Sequence, residues 1–170
     1  EEEQAWIEAN SAAWSETVDF RSMVVADSPL TGETERGLTQ VRAVDGAYPL
    51  LGAVELDPAI PLDEALGQRD GVWGVALEPL LIERLGVSVG DPVRLGGNTY
   101  QLRAALERIP DQAAEGLGLG PRTLVFTQAL EGSGLLAPGS LYEVETRLIL
   151  QEGASPAAVE RDLQRSFPDA

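Results

Sequence analysis

The chain has 170 residues, 44% of them apolar, enough for a sizeable core in one domain or two small lobes. Its formal charge of -16 comes from 28 acidic residues against 12 basic ones, all arginine, and this surface repels phosphate backbones, so nucleic acid is not an expected partner. Cysteine and histidine are absent, which excludes a disulfide, a thiol nucleophile, a histidine base and any Cys/His zinc site.

The first stretch, EEEQAWIEANSAAW, opens with acids that suit the positive end of a helix dipole. Ile7 and Trp14 lie two turns apart with Trp6 alongside, so the stretch reads as an amphipathic helix, the other reading being a tryptophan-based ligand platform. From Thr17 to Ala26 the period changes to two, with Val18, Phe20 and Val24 on one side and Asp19, Arg21 and Met23 on the other, the pattern of a strand. The turn-rich DSPLTGETERG reads as a hairpin loop, either solvated or contacting a partner protein, and Leu38 to Asp45 as the returning strand. Tyr48 to Asp70 is non-periodic and broken by prolines, so a linker with a short strand near Ala53 to Leu56 is expected. Asp57, Asp63 and Glu64 gather there without the spacing or central glycine of a calcium loop, and no metal site is assigned.

The local signals agree best between Val72 and Pro110. An apolar run leads to Glu78-Pro79, and proline suits the first helical position because its missing N–H would be unpaired there anyway. Leu81 and Leu85 give the helix its buried stripe, and Gly86 supplies the left-handed residue that ends it, with Val87 folding back. Gly90-Asp91-Pro92 turns the chain into a strand, and Gly96-Gly97-Asn98 turns it again into a second one. In that second strand Tyr100, Leu102, Ala104 and Leu106 are expected on one face, and Gln101, Arg103, Ala105 and Glu107 on the other.

The run Gly116-Leu117-Gly118-Leu119-Gly120 reads as a loop rather than a phosphate cradle, because Pro121 and a strand come after it instead of a helix. A strand over Thr123 to Phe126, a short helix opened by Thr127 or Gln128 and running through Leu130 and Glu131, and a long strand over Ser140 to Gln151 come next. Ser155 and Pro156 then open a last helix with the stripe Val159, Leu163 and Phe167, stopped by Pro168. Glu143 and Glu145 beside Arg147 read as an exposed, salt-bridged strand face, and Asp91 as a turn aspartate bonding its own backbone. No catalytic or cofactor-binding residue is assigned, and enzymatic activity is not expected.

Leu85-Gly86, Val89-Gly90-Asp91 and Leu95-Gly96-Gly97, flanked by SETVDFRSMVVADSP, GLTQVRAVDGAYPLLG and PRTLVFTQALEGSGLL in that arrangement, resemble the MacB-like periplasmic core domain of FtsX-type ABC transporter permeases, closest in wording to the large, lipoprotein-export-like permeases. Members of that family place a strand before the first helix, and its absence here leaves one sheet edge in question. The resemblance implies a domain inserted between membrane helices, on the periplasmic side of a bacterial inner membrane. It also implies a role in transmitting ATP-driven movement, or in contacting a lipoprotein-like or hydrophobic substrate. The implied partners are the permease's own transmembrane helices, an ATPase subunit reached through the membrane part, and a periplasmic accessory protein. A free-standing extracytoplasmic binding or scaffold domain is the other reading. The fold class expected is α+β in two lobes, an α/β lobe from residues 1–47 and 121–170 and a small strand-helix-hairpin lobe from residues 48–120.

Overall fold

The computed structural model describes residues 2–110 and 120–167; the loop reading of 116–119 and the helix stop at Pro168 lie outside them. In chain order the elements are α1 (Glu2–Asn10), β1 (Ser11–Asp27), β2 (Thr34–Val44), β3 (Glu55–Asp57), α2 (Leu62–Leu66), β4 (Gln68–Arg69), β5 (Val72–Leu77), α3 (Pro79–Leu85), β6 (Pro92–Leu95), β7 (Asn98–Arg108), β8 (Arg122–Phe126), a 3-10 turn (Thr127–Leu130), β9 (Glu143–Leu150) and α4 (Pro156–Ser166). The α+β class holds, with a mixed sheet at its centre.

Six strands close into a ring. β1 pairs with β2 and β6, β2 with β8, β8 with β5, β5 with β7, and β7 with β6. The β2–β8 and β5–β7 pairs are parallel and the others antiparallel. Closure leaves these six strands no open edge where they pair, and their alternate residues fill the inside. Val24, Val41, Val75, Leu77, Val93, Leu95, Tyr100, Leu102 and Val125 form that interior, with Leu81 and Leu85 of α3 packed into it. Each of the large fully buried side chains contributes about 1.5–3 kcal/mol. Thr39 and Thr123 join their hydroxyls at 2.7 Å within it, which removes the penalty of burying either alone.

A second core lies on the opposite face, where Val44, Ala76, Ala104, Leu106 and Leu124 are covered by Ala65 and Leu66 of α2, Leu56 of β3 and Tyr48. The expected single face of β7 is therefore corrected. Tyr100 and Leu102 point into the first core, but Ala104 and Leu106 point into the second. Between them the ladder to β5 slips by one residue, from Val75↔Leu102 to Ala76↔Ala104, and a one-residue slip moves every later side chain to the other face.

Three other expectations change. The first helix ends at Asn10, and Trp14 lies on β1. Asn10 Nδ2 donates to Trp6 O at 2.8 Å and Ser11 Oγ to Ile7 O at 2.7 Å, so two short polar side chains take up the last helical carbonyls and the chain leaves extended. The β1–β2 loop is only Ser28 to Glu33, because Thr34 to Gly37 continue the ladder down to Asp27↔Thr34. Residues 48–70 hold the expected short strand, as β3, but are not a linker: they also contain α2 and β4, and Ala65 and Leu66 are completely buried. At Gly74 an added Cβ would stand 1.9 Å from Ala65 O, so α2 lies directly on the backbone of β5.

Candidate functional site

The eight motif residues do not converge on one point. Leu85, Gly86, Val89, Gly90 and Asp91 precede β6, and Leu95, Gly96 and Gly97 end it or lie just beyond it. Gly86 is left-handed at φ +60°; its N–H donates to Glu83 O, and the Val87 N–H reaches back to Ile82 O. Its carbonyl accepts Ser28 Oγ at 3.0 Å, and the same hydroxyl accepts the N–H groups of Leu30 and Thr31 at 3.2 Å. The end of α3 thus holds the start of the β1–β2 loop. Asp91 Oδ2 accepts the Ser88 N–H at 2.8 Å, and Gly90 N–H donates to Leu102 O at 2.7 Å, which sets the turn against β7. Gly97 N–H donates to Ser133 O at 2.8 Å, and a Cβ on Gly96 would lie 2.6 Å from that carbonyl. Leu85 and Leu95 are core residues, while Val89 is half exposed. The motif joins elements and presents no convergent set of chemical groups.

Tyr100 ties the same hairpin to the 3-10 turn by donating to Ala129 O at 2.6 Å, and burial raises its pKa above the ordinary tyrosine value. Asn98 Nδ2 also donates to Ala129 O, at 3.1 Å, so that carbonyl keeps a partner if the hydroxyl is removed. Tyr100→Phe is therefore expected to cost only about 1 kcal/mol in urea unfolding, the low end for a buried hydrogen bond.

Two arginines were not singled out by spacing. Arg42 makes a two-point contact with Asp19 at 2.9 and 3.0 Å across the β1–β2 ladder. Arg103, 6% exposed, donates to the carbonyls of Glu64, Gly67 and Val72 at 3.1, 2.6 and 2.9 Å and through Nε to Gln101. Burial, and then the neighbouring Arg69, pull its pKa down. It sits at the negative end of α2, where a cation is favoured, and locks α2, the turn after it and β5 to β7.

The chain's first and last elements meet on one arm. Ser11 to Glu16 of β1 precede its ladder to β2, and Ser11 to Asp19 pair antiparallel with β9. Trp6 Nε1 donates to Asp162 Oδ2 at 2.9 Å, and the Trp6 and Phe167 rings meet edge-on at 6.3 Å. Gln151 Nε2 donates to Ala9 O at 3.1 Å. Trp14 and Leu148, opposite each other in the ladder, line a groove with Ile7 and Leu163. α4 has no fully buried residue, so Trp6 is a main tie holding it. Trp6→Ala is expected to raise amide exchange across Pro156–Ser166 at least tenfold while the melting temperature of the ring stays within about 2 °C; equal protection in both proteins would mean α4 is held elsewhere.

β1 therefore runs 17 residues, about 55 Å at strand rise, from the helical arm through the ring to the hairpin tip. The fold as a whole superposes on solved structures. The periplasmic region of MacB from Actinobacillus actinomycetemcomitans superposes with a TM-score of 0.59 at 8% identity, covering 96% of this chain and 72% of that one. The chain has the fold of the MacB-like periplasmic domain. The extracellular domain of the ABC-type transporter YknZ from Gram-positive bacteria superposes on this chain with a TM-score of 0.55 at 13% identity, over 96% of this chain and 76% of that one. In sequence, the uncharacterised ABC transporter permease YbbP of Escherichia coli K12 is 26% identical over 134 residues, 75% of this chain. The chain spans 16% of the length of that relative. No protein-family model matches the chain. The resemblance drawn from Leu85-Gly86, Val89-Gly90-Asp91 and Leu95-Gly96-Gly97 thus agrees with the fold and with a permease relative. Among the described residues no helix is long and apolar enough to cross a membrane.

Proposed function

We propose that this chain is the extracytoplasmic domain of an ABC transporter permease, on the periplasmic side of the inner membrane, and that it transmits movement driven by ATP hydrolysis elsewhere in the assembly. The observation that carries this reading is β1. One continuous strand joins the arm where the first and last helices meet to the far hairpin, and it is braced over Thr17 to Asp27 by β2. β9 holds this strand over Ser11 to Asp19 and β2 over Thr17 to Asp27, and the two ladders overlap at Thr17 to Asp19, so displacement at α1 and α4 would be passed along β1 to the ring. The permease's membrane helices would then act on the α1/α4 arm, with an ATPase subunit reached through them, and a periplasmic accessory protein would meet the ring or hairpin. Met23 and Leu38, directly paired and about half exposed on the outer face of the hairpin, also suit contact with a lipoprotein-like or hydrophobic substrate. No bond-making chemistry is assigned to this chain.

The test uses the full-length permease with its ATPase in proteoliposomes, spin-labelled at Glu8 on α1 and Thr31 at the hairpin tip. The Glu8–Thr31 distance should stay constant between nucleotide-free and ATP-bound states. The distance from Thr31 to a label on a membrane helix should change. A fixed distance to the membrane helix, or a variable one within the domain, overturns the relay reading.

A further inference from the structure

Beyond the relay, we propose that a cleft under the segment Tyr48–Leu51 binds an uncharged, largely apolar molecule that carries one hydrogen-bonding group. The cleft measures about 450 Å³, within the range of small-molecule sites, and is lined by Ser15, Thr17, Tyr48, Leu50, Leu51 and Ile149 among others. Its wall is fastened rather than loose. The Asp45 carboxylate accepts Ser15 Oγ at 2.8 Å, the Glu16 N–H at 2.7 Å, and the N–H groups of Ala47 and Tyr48 at 3.0 and 3.1 Å, so one side chain holds the Tyr48 segment over β1.

The hydroxyl of Thr17 carries the argument for a ligand. Thr17 is 2% exposed, and its Oγ1 finds no hydrogen-bond partner among the described residues. Buried hydroxyls are nearly always paired, and this one belongs to a residue lining an apolar cleft. The charge of the ligand is set by the ladder. Arg147 and Glu145 of β9 stand opposite Ser15 and Thr17, and they join each other at 2.9 and 3.1 Å. Arg147 is already neutralised by that pair, so a free anion gains little at the site, and the Glu145 carboxylate is equally engaged, so a free cation gains little from it.

The test titrates the domain with N-phenyl-1-naphthylamine, an uncharged apolar fluorophore with a single N–H. Saturable one-to-one binding at micromolar concentration is expected. Thr17→Val, which keeps the shape and removes the hydroxyl, should weaken it about fivefold, and Thr17→Ser should restore it. Leu51→Asp, at an exposed lip where folding is not at stake, should weaken it more than tenfold. Decanol should displace the probe and decanoate at neutral pH should not. Absence of saturable binding, or equal affinity in Thr17→Val and the parent, overturns the proposal; preferential displacement by decanoate overturns the assignment of an uncharged ligand. None of these readouts depends on ATP-driven movement, so the relay and the cleft fail separately.

Discussion

Gly86→Val is expected to lower the stability of the domain by about 2–4 kcal/mol. Part of the loss is backbone strain, because a β-branched residue at φ +60° costs about 1–2 kcal/mol. The remainder is contact. A Cβ at this position would lie 2.4 Å from Ser28 Oγ, so the hydroxyl that bonds Gly86 O and the N–H groups of Leu30 and Thr31 has to move. Gly132 is the control, since it is also left-handed at φ +74° but an added Cβ there meets nothing within 4 Å. Gly132→Val should show the strain alone, and the difference between the two variants in urea unfolding measures the link between α3 and the β1–β2 loop. Equal losses would show that Ser28 contributes nothing at that joint.

Arg103→Met is expected to cost about 2–3 kcal/mol, although it exchanges a charged side chain for an apolar one of similar length. The guanidinium supplies three donors to the Glu64, Gly67 and Val72 carbonyls, and no apolar side chain can replace them. The loss comes from leaving those three carbonyls without their donors. Arg103→Lys should recover only part of it, since one ammonium cannot span the three carbonyls as the planar fork does. Full recovery by lysine would mean that charge at the end of α2, rather than the fork, is what stabilises it. The same variant should loosen α2 first, seen as faster amide exchange at Ala65 and Leu66 while the ring interior stays protected.

The central unit was readable residue by residue because each of its signals is local. Proline at a first helical turn, glycine at a left-handed helix end and a two-glycine hairpin all act within four residues, and Pro79, Gly86 and Gly96 adopt the conformations those signals require. The helix boundary at Asn10 was a nearer miss. The two alanines before Trp14 favour helix, but Asn10 and Ser11 take the helical carbonyls and the β9 ladder captures the residues from Ser11 onward. Nothing in the spacing of residues 48–70 announced a buried α2, because its five residues acquire their burial from the strand beneath them, where Gly74 leaves room. The cleft under Tyr48 was invisible for a similar reason. Ser15 and Thr17 lie on β1 while Asp45 and Leu51 belong to other segments, and the four carry no joint pattern.

By itself the sequence determined the local conformations around Gly86, Gly90 and Gly96, the alternation of β1 and β2, the amphipathic character of α4, and the absence of cysteine and histidine chemistry. The tertiary structure alone decided that β5 lies parallel to β7 and β8 parallel to β2, since those pairings join residues far apart in the chain and no turn encodes them. It also decided the slip between Leu102 and Ala104. The interior of a closed ring has room for Tyr100 and Leu102, and α2 offers Ala104 and Leu106 a second apolar surface on the other side. With Arg103 placed at the slip, its guanidinium reaches the three carbonyls around α2, a position that period-two alternation from Tyr100 could not assign.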